Sequence, residues 1–528
     1  MDVASTQLVE ALQNAQCYPH PVTRVTLVET HISWVLLTGQ YVYKIKKPVL
    51  FTFVDFSTLK KRRWFCEEEV RLNRRLAPQL YLGVVPITGS SSKPHMDGEG
   101  TPIEFAVKMK QFLPDHEFSK LLSAGEIDEQ VISQLADRIG NFHSRIEPAP
   151  ETSSYGIPDM IWQSMEECFG EISLDLLPLP IQKYLQQINE WTRREWITMS
   201  SALEQRKSSG FIRECHGDLH LGNIALSDGQ IYVFDALEFE PRLRWIDVLS
   251  EVAFLVMDLE SKDRVDLAYL FLNRYLEVTG DYAGMTVFRL YEVYRALVRA
   301  KVAGLRLGQV VKGCVDWENF RAEMIKYIEL AHRLILPVSP LLILMHGVSG
   351  TGKTTVSTEV LKTLVTLRVR SDVERKRIHG ETHKRAVRKE TTESLYDPAM
   401  THATYARLLD HANTMLKARY SIVVDATFLR VAQRQPFIQL AHDRQISFVI
   451  LDVWAPEEVL AERIKRRAKQ RADASDATIE VMEGQKAIEE PLTEDERPYV
   501  IRMDSTDSRS VLCGINGALE KLGRRKSS

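Results

Sequence analysis

One eight-residue stretch limits the possible folds more than any other. Leu341–Met345 is a compact apolar run, and after His346 the chain reads Gly347-Val-Ser-Gly-Thr-Gly-Lys353-Thr354. An apolar run of this length reads as a buried strand. The glycines after it let the backbone wrap tightly and turn its N–H groups toward one point. Gly347, Gly352, Lys353 and Thr354 complete G-x-x-x-x-G-K-[ST], with a strand before it and a helix after it, the context the pattern requires. Such a loop cradles phosphates: Lys353 reaches the β/γ-phosphates, Thr354 offers a hydroxyl to Mg²⁺, and the helix start adds its partial positive charge. Candidate nucleotide-binding residues are therefore Gly347, Ser349, Gly350, Thr351, Gly352, Lys353, Thr354 and Thr355.

A second apolar strand, Ser421–Val424, ends on Asp425. A carboxylate there suits the Mg²⁺ shell opposite Thr354. Between the two lies LRVRSDVERKRIHG, in which Asp372 follows a strand-like run and Arg375 comes three residues later. An arginine-rich helix follows at 461–471. Together, residues 341–510 resemble the small P-loop kinases of the gluconate kinase and polynucleotide kinase type, with an AAA-type ATP-binding loop. That resemblance implies an α/β domain with a mostly parallel sheet. It also implies a role for Asp372 in orienting the acceptor hydroxyl, and lid arginines drawn from Arg463, Arg467 and Arg471. The same arginines read equally as a solvated helix face. The basic stretch 375–389 fits a phosphorylated or nucleic-acid acceptor, and fits a solvated helix slightly better.

Another stretch, His216 to Glu238, reads HGDLHLGNIALSDGQIYVFDALE. Asp218 is followed five residues later by Asn223, and a short β-like run, Ile231–Phe234, ends on Asp235. Phosphoryl transfer needs one carboxylate to orient a hydroxyl nucleophile and a few side chains to hold Mg²⁺ on the phosphates. Asp218 suits the first role. Asn223 and Asp235 are hard oxygen ligands suited to the second. One hairpin between Asp218 and Asp235 would fold them into one site. The stretch resembles the catalytic loop of the aminoglycoside phosphotransferase and choline kinase branch of the protein-kinase-like fold. This implies Asp218 as catalytic base, Asn223 and Asp235 as metal ligands, and a loop-bracing role for Asp247. Helix N-capping is an equal alternative for Asp247.

The residues before this loop fit such a fold. Residues 22–46 read as two or three strands with turns at His31 and Thr38-Gly39. In Tyr41–Lys46 the alternation puts Val42, Lys44 and Lys46 on one face. A kinase needs a strand lysine for the α/β-phosphates; Lys44 is the first choice and Lys46 the reserve. A helix from about Thr58 to Leu76 offers a glutamate to pair with it, Glu68 ahead of Glu69. Residues 88–101 read as an exposed loop and Ile103–Phe112 as the next strand, leading to a hinge at Leu113-Pro114-Asp115. Helices dominate from 119 to 336, where His143 reads as a packing or capping residue.

At 528 residues the chain exceeds one ordinary domain. Two domains are expected: 1–336, bilobal, with a small lobe at about 20–115 and a helical large lobe at about 116–336; and 340–528, the α/β P-loop domain. A net charge of −3 gives no global attraction to nucleic acid or anionic membrane. Six scattered cysteines include no C-x-x-C pair, which excludes a zinc ribbon or thioredoxin motif and suits a reducing compartment. No apolar run approaches the ~20 residues of a membrane helix; a cytoplasmic protein is expected. The expected activity is ATP- and Mg²⁺-dependent phosphoryl transfer to small-molecule hydroxyls, with two ATP sites. Alternatives are a C-terminal ATPase switch that regulates the first domain, or a C-terminal 5′-hydroxyl nucleic-acid kinase.

Overall fold

The computed structural model describes residues 3–51, 54–384, 397–470 and 478–521. These form two compact units. The first contains residues 1–173, 200–258 and 294–301; the second contains 174–199, 259–293 and 302–528. A single cut at 337–340 does not reproduce this division. Helices that precede the phosphate loop by many residues, among them Val265–Thr279, belong to the unit that holds it.

In the first unit a six-stranded antiparallel sheet runs in the order Thr26–Glu29, Ser33–Leu37, Tyr41–Lys46, Glu104–Lys110, Tyr81–Ser90, Lys93–Met96. Alternation decides its faces. Tyr43 and Ile45 are fully buried in an apolar cluster with Trp34, Leu36 and Ile87, while Lys44 and Lys46 take the opposite face. That face receives the helix Leu59–Asn73, whose N-cap Thr58 accepts the Lys61 N–H at 3.3 Å. The stretch expected as an exposed loop at 88–101 is partly a hairpin instead. Ile87 pairs with Met96, and Pro94 and Met96 are buried, so an alternating pattern was hidden among Ser and Gly.

The second unit is built on a five-stranded parallel sheet: Leu367–Arg370, Ile422–Asp425, Leu341–His346, Ser447–Trp454, Val500–Asp504. Leu341–His346 is central and buried along its whole length, which is why it reads as a continuous apolar run. Helices Lys353–Leu364 and Ser508–Lys521 pack Val356, Val360, Leu364 and Ile515 against Ile343, Met345 and Leu451. None of the described helices is long and apolar enough to cross a membrane.

Candidate functional site

In the first unit, residues far apart in sequence meet around Lys44. Its Nζ lies 2.5 Å from Asp235 Oδ1 and 3.0 Å from Glu69 Oε1. Lys46, fully buried, donates to both Glu69 and Glu238. Lys44 keeps 14% of its side-chain surface, so of the two it can reach a ligand; Lys46 ties the sheet to the helix and to the 235–238 loop. Burial alone would lower the Lys44 ammonium, but Asp235, Glu69 and Glu238 outweigh it and hold it well above its usual value. Burial likewise opposes ionisation of Asp235, and Lys44 reverses that, leaving the carboxyl below its usual range.

Glu68 does not take the role expected for it. It pairs with Arg71 at 2.7 Å and Arg244 at 3.0 Å, and the neighbouring Glu69 meets the strand lysines. One helical residue is a rotation of about 100°. The inward arc holds Cys66, Glu69, Val70 and Asn73, all buried, and Glu68 falls beside it.

The 216–238 hairpin forms as the spacing predicts, with Ile224–Ser227 pairing antiparallel to Gln230–Val233. Asn223 Nδ2 donates to Asp218 Oδ2 at 2.9 Å and to the Asp218 carbonyl at 3.0 Å. His220 Nδ1 accepts the Gly222 N–H, so Nε2 carries the proton that faces Asp218 Oδ2 at 3.3 Å. Burial would raise the Asp218 carboxyl, but His220 and His216 win and hold it below the carboxylate range. Asp235 sits in the left-handed region at φ 63°, a conformation aspartate tolerates. Its N–H donates to the Tyr81 hydroxyl at 3.1 Å, and the Ala236 N–H donates to Asn73 Oδ1 at 2.9 Å.

Glu251 braces the loop, accepting the Gly217 N–H at 2.7 Å and meeting His143 Nε2 at 2.9 Å. Asp258 accepts the Leu221 N–H at 2.9 Å. Asp247 holds Arg206 at 2.5 Å and accepts the Leu249 N–H at 2.9 Å, the capping alternative. Glu251 and Asp258 escaped sequence reading, although they are two of three acids inside the apolar helix Val248–Ser261, which was a signal.

In the second unit a cavity of about 710 Å³ is lined by Ser349, Gly350, Gly352, Lys353, Thr354 and Thr355 on one side. Arg370, Asp372, Arg375, Tyr405 and Asp425 line the other. The loop and the candidate acceptor and metal residues thus share one space. Gly347 and Thr351 shape the loop instead of lining the cavity. A Cβ on Gly347 would stand 2.4 Å from the Val453 carbonyl, and Thr351 Oγ1 donates to the Val348 carbonyl. Lys353 Nζ reaches across the loop to the same carbonyl at 2.9 Å. Asp372 accepts from Arg375 at 2.9 Å. Arg463 donates to the carbonyls of Gly350 and Thr351 and to Ser505, so it packs against the phosphate loop. The Arg467 side chain and all of Arg471 lie outside the described residues.

Both donor sets suit Mg²⁺. Asn223 with Asp235, and Thr354 with Asp425, offer only oxygen. Asp425 is also placed by its surroundings: Ser357 Oγ lies 3.2 Å from its Oδ2.

Residues 342–492 match the family model AAA_33, described as an AAA domain. The uncharacterized protein Rv2004c of Mycobacterium tuberculosis (strain ATCC 25618 / H37Rv) is 29% identical over 476 residues, 88% of this chain and 91% of that protein. A gluconokinase from Sinorhizobium meliloti 1021 is similar over 35% of this chain and 98% of its own, at 18% identity and a TM-score of 0.26. A choline/ethanolamine kinase family protein from Mesorhizobium loti is similar over 62% of this chain and 99% of its own, at 10% identity and a TM-score of 0.35. Residues 342–492 thus match an AAA domain whose phosphate loop follows the central strand of a parallel sheet, and the N-terminal region carries a six-stranded antiparallel sheet with the Lys44–Glu69 ion pair on one face.

Proposed function

We propose that the chain is an ATP- and Mg²⁺-dependent phosphotransferase with two nucleotide sites, each passing a γ-phosphoryl group to a hydroxyl of a small molecule. The observation that carries this reading is the convergence of Lys44, Glu69, Asp218, Asn223 and Asp235, one residue for each role the reaction needs. Lys44, steadied by Glu69, meets the phosphates. Asp235 and Asn223 would hold the ion, which would supply positive charge against the transferred group. Asp218 accepts the hydrogen bond of the acceptor hydroxyl and keeps it in line.

For the P-loop site, the shared cavity favours a kinase over a nucleotide-gated switch. Asp372 and Arg375 face the same space as the phosphate loop, where an acceptor would wait. The basic stretch 375–389 lies partly outside the described residues and does not favour the nucleic-acid alternative.

The full-length protein should be offered labelled ATP and panels of amino alcohols, aminoglycosides, sugars, sugar acids, nucleosides and 5′-hydroxyl oligonucleotides. Products that vanish in Asp218→Asn belong to the first site, and products that vanish in Asp372→Ala belong to the second. Asp372→Ala should keep ATP affinity and slow hydrolysis. Robust hydrolysis with no labelled product, insensitive to Asp372→Ala, would return the P-loop site to the switch reading.

A further inference from the structure

Resting on the P-loop reading above, we infer that Glu277 is a positioning residue of that site. It holds Arg370 back from Asp425 and so keeps that carboxylate open to the divalent ion of the nucleotide.

Glu277 lies in the helix Val265–Thr279, far upstream of the phosphate loop in sequence but within the same compact unit. The helix docks on the edge strand Leu367–Arg370 of the parallel sheet through Asn273. The Asn273 amide donates to the Thr366 carbonyl at 3.0 Å and accepts the Arg368 N–H at 2.6 Å. A side chain thus satisfies edge groups that a further strand would otherwise pair.

One turn along the helix, Glu277 is almost wholly buried. Its Oε1 accepts from Arg368 Nη2 at 2.9 Å; its Oε2 accepts from Arg274 Nη1 at 3.4 Å and lies 3.8 Å from Arg370 Nη1. The Arg377 guanidinium donates to its carbonyl at 2.6 Å. Arg368 continues inward to Ser357 Oγ at 3.1 Å and Thr358 Oγ1 at 2.9 Å. Ser357 stands beside Asp425, and Arg370 Nε is 4.0 Å from the same Asp425 oxygen.

Arg370 therefore stands between two carboxylates, Glu277 and Asp425. A guanidinium moves toward whichever carboxylate is left charged, because the attraction steepens at short range and low dielectric. With Glu277 neutral, Arg370 closes on Asp425 and competes directly with the cation. Ordinary disruption of the helix dock would instead weaken nucleotide binding with or without metal.

The test uses the full-length protein and a non-hydrolysable ATP analogue titrated at a series of Mg²⁺ concentrations. Binding that Lys353→Ala removes reports this site. Glu277→Gln should raise the Mg²⁺ concentration for half-maximal binding about tenfold and leave metal-free binding unchanged. Adding Arg370→Gln should bring the Mg²⁺ requirement back toward wild type. Should Glu277→Gln fail to fold, Glu277→Asp carries the test, with a smaller shift of the same sign. Wild-type binding with an unshifted Mg²⁺ requirement, or an equal loss with and without Mg²⁺, overturns the inference alone. No Lys353-dependent binding in the wild type overturns the P-loop reading and this inference with it.

Discussion

The two sites use opposite building plans. The P-loop site takes its candidate phosphate-binding residues from one contiguous loop whose path is set by glycines. The Lys44 site takes its parts from residues spread from 44 to 251, and they are side chains held in place by ion pairs. A backbone site is insensitive to most single side chains but intolerant of a changed glycine. An ion-paired site can be dismantled through residues that never meet the ligand.

The sharpest separation is chemical. Asp218→Asn should reduce transfer at the first site by about 10²–10⁴-fold while ATP affinity changes only a few-fold. Rate and affinity measured on the same preparation check it. Wild-type turnover would remove Asp218 from the reaction.

The next tests the ion-pair plan directly. Glu69→Gln leaves Lys44 and the buried Lys46 short of a partner, and loss of one member of a buried pair costs about 3–5 kcal/mol. Thermal unfolding should fall and the KM for ATP should rise. Glu68→Gln, which loses the half-exposed Arg71 and the buried Arg244, should also lower stability but should leave the KM for ATP unchanged. Equal effects on KM for the two would contradict the assignment of Glu69.

Lys353→Ala should remove one of two ATP sites seen by calorimetry, and Asp235→Ala should impair Mg²⁺-nucleotide binding at the other. A single site in the wild type, lost with Lys353→Ala, would mean that only the backbone-built site binds nucleotide.

The smallest effect concerns pH. Asp218, Asp235 and Glu251 are held below their usual range against the cost of burial; Glu238 is raised by burial, with the Glu69 charge adding to it. A depressed carboxyl stabilises above its unfolded pKa and loses that contribution as pH falls, so this region should weaken in acid below about pH 4. In the second unit burial raises Glu260 to about 7, and burial with the Glu260 charge raises Glu292 well above its usual value. A raised carboxyl binds its proton more tightly in the fold. Its contribution is full below about pH 4.5 and is lost as pH rises toward 7 and beyond. Glu292→Gln should flatten that slope and stabilise the second unit by about 1 kcal/mol at neutral pH. Hydrogen exchange resolved along the chain measures both slopes.

Legibility followed the same divide. The phosphate loop, its strand and its helix were readable because the whole device is local. The 216–235 hairpin was readable because its spacing is local too. Partner choice was not. Whether Glu68 or Glu69 meets the strand lysine depends on about 100° of helix rotation, which the mixed face of LKKRRWFCEEEVRLN does not fix. Lys44 and Lys46 lie on one face and only burial separates them: Lys44 keeps 14% of its side-chain surface and Lys46 none. Asp247 takes the N-capping alternative that the sequence left open, and two acids in the helix that follows, Glu251 and Asp258, hold the loop. The contribution of Val265–Thr279 to the P-loop unit was invisible, since no periodicity records which sheet an amphipathic helix joins.

The Asn273 amide also decides where the chain can be cut. A fragment beginning near 340 would retain every residue of the phosphate loop and look complete by motif. It would present Leu367–Arg370 as a bare strand edge, and bare edges recruit other copies. Such a fragment should precipitate or form mixed oligomers in proportion to its concentration. A fragment that begins before Leu259 should remain dispersed. For this protein the second unit is set by its fold and reaches upstream of the sequence motif that advertises it, through 259–293 and, discontinuously, 174–199.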